Sequence, residues 1–397
     1  MKLTLLAGLL LATAIRPAAA QSRLTGKILD AATGQPVPYA SVSVLHTTAG
    51  TTSNAEGEFE LKAALPGRLV ISELGHRRDT VTVTAAAAAP LLVRLPPAAV
   101  ALPEVTTGTY TEELIKQAYR ELRRTNGQKT YGQAFYRQVT KLGGDPTEVQ
   151  EMVWHAQTSN ARVEKTALAQ GRFAKKKGLI AFNNFSFYTK LLYFFDASED
   201  STTCDRIISL HTSDKFRLKL VGLTQNGDQQ LVEIGLVSKE ASSGVPWANV
   251  VIDASTHQVL RLRLETTGIN THSNNPMFRF HDELMRLEWA FRPVPGSAAA
   301  LEYMKVDYQT SLGRPLKSNL PIEASSFTYF YNGRSTPETG VTYASVKGGE
   351  VDLAAIKQTT YDPAFWQNNP VVKRTPLEEQ VMKSFEQKGA FGTMLTP

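Results

Sequence analysis

The stretch from Leu24 to His76 reads LTGKILDAATGQPVPYASVSVLHTTAGTTSNAEGEFELKAALPGRLVISELGH, and its Gly, Pro and Asn residues punctuate short apolar runs that alternate with a period of two. Ile28 lies in a first strand. Asp30, Thr33, Gly34 and Pro36 form the next turn, in which Gly takes a positive φ and Pro fixes its own. Ala40, Val42 and Val44 then follow at the spacing of a strand with one buried face. Gly50 closes it, Thr51 to Ser53 is β-prone, and Asn54 to Gly57 makes a hairpin turn before Phe59 and Leu61. Pro66 and Gly67 turn the chain once more into Leu69, Val70 and Ile71. Strands this close together predict a small β-sandwich over residues 22–96.

The order Gly26, Ile28, Asp30, Thr33, Gly34, Pro36, Ala40, Val42, Gly50, Thr51, Asn54, Gly57, Phe59, Leu61 and Gly75 resembles the carboxypeptidase-like regulatory domain. Leu92 to Leu95 and the LPEV run of Leu102 to Val105 resemble its closing segment. The resemblance implies a transthyretin-like or immunoglobulin-like sandwich, found at the front of exported and outer-membrane proteins of some Gram-negative bacteria and without catalytic residues of its own. His76 departs from it, standing where the family more often carries an aromatic.

Residues 1–20 read as a signal peptide. Lys2 supplies the positive start, Leu3 to Ala14 an apolar run too short for a comfortable membrane span, and Ala18 to Ala20 a small-residue cleavage site. No Cys follows to accept lipid, and no later run reaches the length of a transmembrane helix. The chain is therefore expected to be exported, to the periplasm or the outer-membrane periphery. Its formal charge is +6, of which Lys2 and Arg16 leave with the leader, so +4 remains. That balance argues against nucleic acid and supports at most a weak attraction to anionic lipid or glycan; the expected partner is an outer-membrane protein, lipid or glycan. Cys204 is the single Cys, so no intramolecular disulfide forms, and its neighbours Ile207 and Ile208 point to a packed structural thiol.

Residues 97–109, with Pro97 and Pro103, read as a linker, and residues 110–397 as a larger β-rich domain with a helix at each end. Thr111 is the expected cap of a first helix over 111–125, stopped by Asn126 and Gly127. Strands are predicted at Ala134 to Val139, Phe216 to Leu223, Leu231 to Val237, Asn249 to Asp253, Val259 to Leu264 and Phe327 to Tyr331. Asn226 and Gly227 read as one hairpin turn and Asp253 to His257 as another, with Leu260, Leu262 and Leu264 on a dry face and Arg261 and Arg263 on a wet one. Near the end, Thr375, Pro376 and Glu378 make a capping box, and Leu377, Val381 and Phe385 fall on one face of the helix, with Trp366 and Phe365 stapling it to the sheet. The fold class is thus mainly β, with a few helices. The helix, the FYR of Phe135 to Arg137, a hairpin carrying Ile252 and Asp253, a later strand around Val306 to Tyr308 and Trp366 resemble uncharacterised exported proteins that follow the same leading domain. The hairpin-rich pattern also resembles the half-barrel of periplasmic lipoprotein carriers, which implies a curved sheet around an apolar cavity.

Catalytic patterns are sparse. None of the seven His residues is followed by Glu at the third position, and HExxH, GxSxG and GxxxxGK[ST] do not occur, so carboxypeptidase activity has no support; no cofactor or metal is expected. Arg172 with Lys175 to Lys177 reads as a solvated basic hairpin or a headgroup contact. The richest aromatic run holds Phe182, Phe185, Phe187, Tyr188, Tyr193, Phe194 and Phe195, and these are the candidate ligand-binding residues. They line a lipid or glycan cavity, cover a membrane-facing edge, or form ordinary core. The resulting expectation is a non-catalytic exported envelope protein, a binding or docking module holding an apolar ligand or glycan in its larger domain. The alternatives are a hydrolase with a carboxylate or metal site, and a pure outer-membrane-associated scaffold.

Overall fold

The computed structural model describes residues 21–85, 89–101, 108–176, 182, 184–197, 206–226, 229–240, 244–267, 269, 271, 277–346, 352–368 and 371–393. The expected leader, Cys204, Lys177 and Gly227 lie outside the described residues.

Alternation in the opening stretch resolves into β1 (Gln21–Asp30), β2 (Ser41–Val44), β3 (Gly50–Thr52), β4 (Glu58–Ala64), β5 (Gly67–Ser72), β6 (Asp79–Val83) and β7 (Leu91–Leu95). One sheet runs β4-β1-β7 and the other β3-β2-β5-β6. Ile28 and Phe59 from the first meet Val42, Leu69 and Ile71 from the second, all removed from water, which is the two-layer core the period of two requires. The turns close as their residue types dictate. Asp30 Oδ1 accepts from the backbone N–H of Ala32 and Thr33 at 2.8 and 2.7 Å, and Asn54 Oδ1 from Glu56 and Glu58 at 2.9 Å each. Gly57 sits at φ +72°, where an added Cβ would lie 2.4 Å from the Ile28 carbonyl oxygen. Only Gly fits there.

The rest of the chain begins with β8 (Ala99–Ala101), α1 (Gly108–Thr125), β9 (Thr130–Leu142), β10 (Asp145–Thr158), β11 (Val163–Lys175), α2 (Phe187–Leu191) and α3 (Thr212–Lys215). It continues with β12 (Phe216–Asn226), β13 (Gln229–Ser238), β14 (Trp247–Asp253), β15 (Val259–Thr266), β16 (Arg279–Arg292), β17 (Ala300–Arg314), β18 (Lys317–Arg334) and β19 (Ala344–Ser345). Four helices follow: α4 (Asp352–Ile356), α5 (Pro363–Asn368), α6 (Pro376–Gln387) and α7 (Ala390–Thr393). The strands form one open antiparallel sheet of twelve, ordered β19-β11-β10-β9-β18-β17-β16-β15-β14-β13-β12-β8. All six expected strands are present. β17 contains the strand expected around Val306 to Tyr308, β10, β11, β16 and β19 are additional, and Ala99–Ala101, expected as linker, adds an edge strand to β12.

Both faces of this sheet are covered. α1 and the described residues of 182–215 pack on one, through Leu114, Ala118, Leu122, Phe185, Phe194 and Ile208 against Trp154, Ile234, Leu262 and Trp289. The sandwich and the C-terminal segment pack on the other, through Tyr39, Trp366 and Val372 against Phe135, Tyr303 and Tyr329. We call these the helix face and the sandwich face.

Four local expectations are corrected. α1 starts at Gly108, so Thr111 is a buried residue within it and not its cap. α6 carries its capping box, but Leu377 is exposed and Met382 takes its place beside Val381 and Phe385, because the buried stripe is rotated by one turn position. Arg172 is fully buried, not on a solvated hairpin. Arg261 is withdrawn from water by the sandwich, whose Glu73 pairs with it at 3.0 Å.

Candidate functional site

Where the sandwich meets the large sheet, a few side chains set the geometry. Tyr39 holds φ 57°, a left-handed conformation that a bulky residue adopts only when packing over-determines it. Its ring stacks on Phe327 at 4.8 Å and leans on Tyr303 at 5.7 Å. Beyond Ser72, the sandwich presents Glu73 to Arg261 of β15. His76 braces that loop, one ring nitrogen 2.7 Å from Glu73 Oε2 and the other 3.0 Å from Asp30 Oδ2. Hydrogen bonding to Glu73 raises the His76 pKa against the opposing effect of burial, with Asp30 adding to the rise. Burial works against ionised Glu73, yet its His76 hydrogen bond, the Arg261 charge and the Gly75 N–H hold it at about 2. The backbone N–H of Thr33, then the His76 contact, bring Asp30 to about 2 as well.

Between Tyr39 and this loop lies a cavity of about 500 Å³. Its floor is the cross-strand row Arg261, Ala290 and Tyr303. The register slips between Ala290 and Phe291, whose partners are Tyr303 and Leu301, so Glu302 is the extra residue of a β-bulge. A bulge re-aims side chains, and Glu302 joins Tyr303 in the wall of the cavity. Burial raises the Glu302 pKa. Glu302 Oε1 and Arg261 Nε are buried without a hydrogen-bond partner.

A second cavity of about 500 Å³ follows the C-terminal segment. Beneath it, Arg137, Glu151 and Arg172 stand opposite one another on β9, β10 and β11. Arg137 Nε donates to Glu151 Oε1 and Arg172 Nε to Glu151 Oε2, each at 2.7 Å. Burial opposes the charge on Glu151, but Arg172, Arg137 and Arg374 together hold its carboxyl well below the usual range. Arg172 lies 4.5 Å over the Trp366 ring and 4.9 Å over Phe391, while α6 brings Glu378 to Arg137 and Glu386 to Arg172 at 3.3 and 3.2 Å. The same segment clips the sandwich. Thr51 Oγ1 donates to the Val371 carbonyl at 2.6 Å, Asn54 Nδ2 to that of Arg374 at 3.1 Å, and Lys373 pairs with Glu58 at 3.0 Å. The wall charges of this cavity are thus largely paired with one another.

The aromatic residues singled out in the sequence gather on the helix face. Phe194 meets Trp289 and Phe291 at 5.8 Å each, Phe195 meets Tyr119 at 5.4 Å, and Phe182 bridges Tyr308 at 5.7 Å and Phe185 at 6.0 Å. Tyr188 packs between Phe185 and Phe187, the latter at the surface. Tyr193 stands apart, beneath the guanidinium groups of Arg206 and Arg162 at 4.0 and 4.9 Å. Under Phe182 and α2 the sheet is polar. Glu148 accepts from Gln138 Nε2 at 2.8 Å and from the Phe182 N–H at 3.2 Å, and burial pushes its pKa up to about 7. Asp352 accepts from Ser186 Oγ at 2.5 Å and pairs with Lys190 at 3.3 Å. Gln150 Oε1 and Ser326 Oγ are buried there without partners.

Sequence reasoning missed Glu148, Glu151 and Glu302. The first two interrupt the apolar alternation of a strand that was not recognised, a signal that was available; the bulge that places Glu302 leaves no mark in the sequence. Among the described residues, no three His, Cys, Asp or Glu side chains come together as a metal site, and no helix is long and apolar enough to cross a membrane.

The fold defines a two-part molecule, a seven-stranded sandwich seated on a large open sheet. Its leading part, residues 24–107, matches the model of the CarboxypepD_reg-like domain family. No curated protein matches the chain. Among solved structures, it is similar to an outer membrane lipoprotein-sorting protein domain from Vibrio parahaemolyticus, at 11% identity over 64% of this chain and 100% of that one, with a TM-score of 0.28. It is also similar to the LolA superfamily protein NE2245 from Nitrosomonas europaea, at 10% identity over 55% and 93%, with a TM-score of 0.21. A membrane-associated protein of unknown function from Bacteroides fragilis gives 11% identity over 80% and 100%, with a TM-score of 0.16. Likenesses this distant carry no argument about function.

Proposed function

We propose that the chain is a non-catalytic, exported envelope protein that binds a small ligand between its sandwich and its large sheet. The observation that carries this reading is the cavity of about 500 Å³ walled by both parts, within the size range of ligand sites and at the kind of boundary where they recur. Two polar atoms in its wall residues lack partners, which a ligand would supply. The carboxylates nearby hold the fold: Glu73 serves the His76 and Arg261 contacts, and Glu151 the arginine ladder. Native mass spectrometry of the chain purified from an envelope fraction tests it. The expected result is a bound small molecule, recovered unchanged after incubation and lost when Ser41→Trp fills the cavity. Conversion of that molecule to product would instead favour a hydrolase.

A second reading follows from the helix face. Phe182, Phe185 and Tyr188 belong to a cover beside orphaned Gln150 and Ser326, and its displacement would open an amphipathic site for lipid. Fixing the cover with a cysteine pair between segment 182–191 and β17 would abolish lipid binding under that reading, and leave ligand binding at the sandwich cavity intact.

A further inference from the structure

We infer that the cavity between the sandwich and the sheet takes a neutral polyhydroxylated ligand, a short uncharged oligosaccharide. This rests on the reading of that cavity as the ligand seat. Its wall residues carry both charges, Arg78, Arg261 and Arg292 with Glu73 and Glu302; Glu73 pairs with Arg261, and the Arg292 charge acts on Glu302. A phosphate or carboxylate seated there would meet Glu302, and an ammonium would meet Arg261. Neither charge type is favoured.

The two unpartnered atoms narrow the choice further. Arg261 Nε–H needs an acceptor, and Glu302 Oε1 needs a donor. A hydroxyl group supplies both. An anion satisfies only Arg261, a cation only Glu302, and an acyl chain neither, leaving the cost of each buried polar group in place.

The remaining lining agrees. Ser41, Ser43 and Ser72 of the sandwich form a hydroxyl-bearing roof over the Arg261 to Tyr303 floor. At one end, Gln229 donates its amide to Asp253 at 2.6 Å and Gln258 donates to the Ser297 carbonyl at 2.6 Å, so both carboxamides are held in position before a ligand arrives. Pro293, Val294 and Pro295 give one side an apolar surface, the counterpart of the C–H face of a sugar ring. A wall polar on one side and apolar on the other matches a pyranose better than an acyl chain.

The test is binding of the full mature chain to an array of neutral oligosaccharides of two to six units, with trigalacturonate and dodecyl phosphate as charged comparators. Calorimetry then follows the array hits. At least one neutral oligosaccharide should bind, Glu302→Ala should weaken it about tenfold or more, and Ser41→Trp should abolish it, while thermal unfolding shows both variants folded. If no neutral oligosaccharide binds, or if Glu302→Ala leaves the affinity unchanged, the sugar assignment is overturned. In that event, a comparator or copurified compound lost on Ser41→Trp would leave the cavity standing as a ligand seat. Bound compounds unaffected by Ser41→Trp would remove the seat as well.

Discussion

His76 shows how one side chain couples two parts of the molecule. Its ring joins Asp30 of β1 to Glu73, and Glu73 in turn holds Arg261 of the large sheet. The pKa of His76 is raised on folding, so its contribution to stability is complete below its unfolded value and fades as pH rises through the folded one. Glu73 and Asp30 are lowered to about 2, so theirs is complete above the ordinary carboxylate range and fades as pH falls toward 2. Thermal stability should therefore peak at mildly acidic pH and decline on both sides. His76→Gln should flatten the alkaline decline, as differential scanning calorimetry from pH 5 to 9 will register.

A different behaviour is expected of Glu151. Removing it takes from Arg137 and Arg172 their one buried counter-charge and leaves only the more exposed Glu378 and Glu386, so Glu151→Leu alone should cost about 3 kcal/mol. Replacing all three residues with apolar ones should cost much less, and urea unfolding separates the two outcomes. Neither arrangement was visible in the sequence. His76 stands in the sequence only as a departure from the pattern the leading domain resembles, and Arg172 reads there as part of a basic surface run.

At the scale of elements, the turns and caps were the legible part. Asp30, Asn54 and Asp253 each accept from backbone N–H groups two to four residues away, so local sequence alone determines their turn-forming role. The capping box of α6 is of the same kind: Thr375 Oγ1 accepts from the Glu378 N–H at 3.3 Å, and the Glu378 carboxylate accepts from the Thr375 N–H at 2.8 Å. Thr375→Ala should cost about 1 kcal/mol, and amide hydrogen exchange should speed up first in α6, since that helix carries the contacts to Arg137 and Arg172. The strands β10, β11 and β16 were not legible. Over most of β10 and the end of β11 both faces are buried, and polar residues such as Gln150, Glu151 and Arg172 lie inside, which breaks the alternation that marks a half-exposed strand.

At the scale of the whole molecule, the sheet is a partition. One face is filled by α1 and the aromatic segment, the other by the sandwich and the C-terminal segment. Phe194, buried against Trp289 and Phe291, should behave as core, with Phe194→Ala costing about 3 to 5 kcal/mol by denaturant unfolding. The sequence identified the sandwich and the aromatic segment separately. The cavity between sandwich and sheet depends on contacts such as Glu73 with Arg261 and Thr51 with Val371, far apart in the chain, and on a bulge that shifts Glu302 by one register position. No pattern within a single element carries that information.

The account turns on where the ligand sits, and a crystal structure of the chain purified from an envelope fraction, with its copurified ligand retained, decides it most directly. Density is predicted in the cavity bounded by Ser41, Arg261, Glu302 and Tyr303, with a hydroxyl within hydrogen-bonding distance of both the arginine and the carboxylate. Density beneath Phe182 and Phe194 instead, with that cavity holding only water, would contradict it.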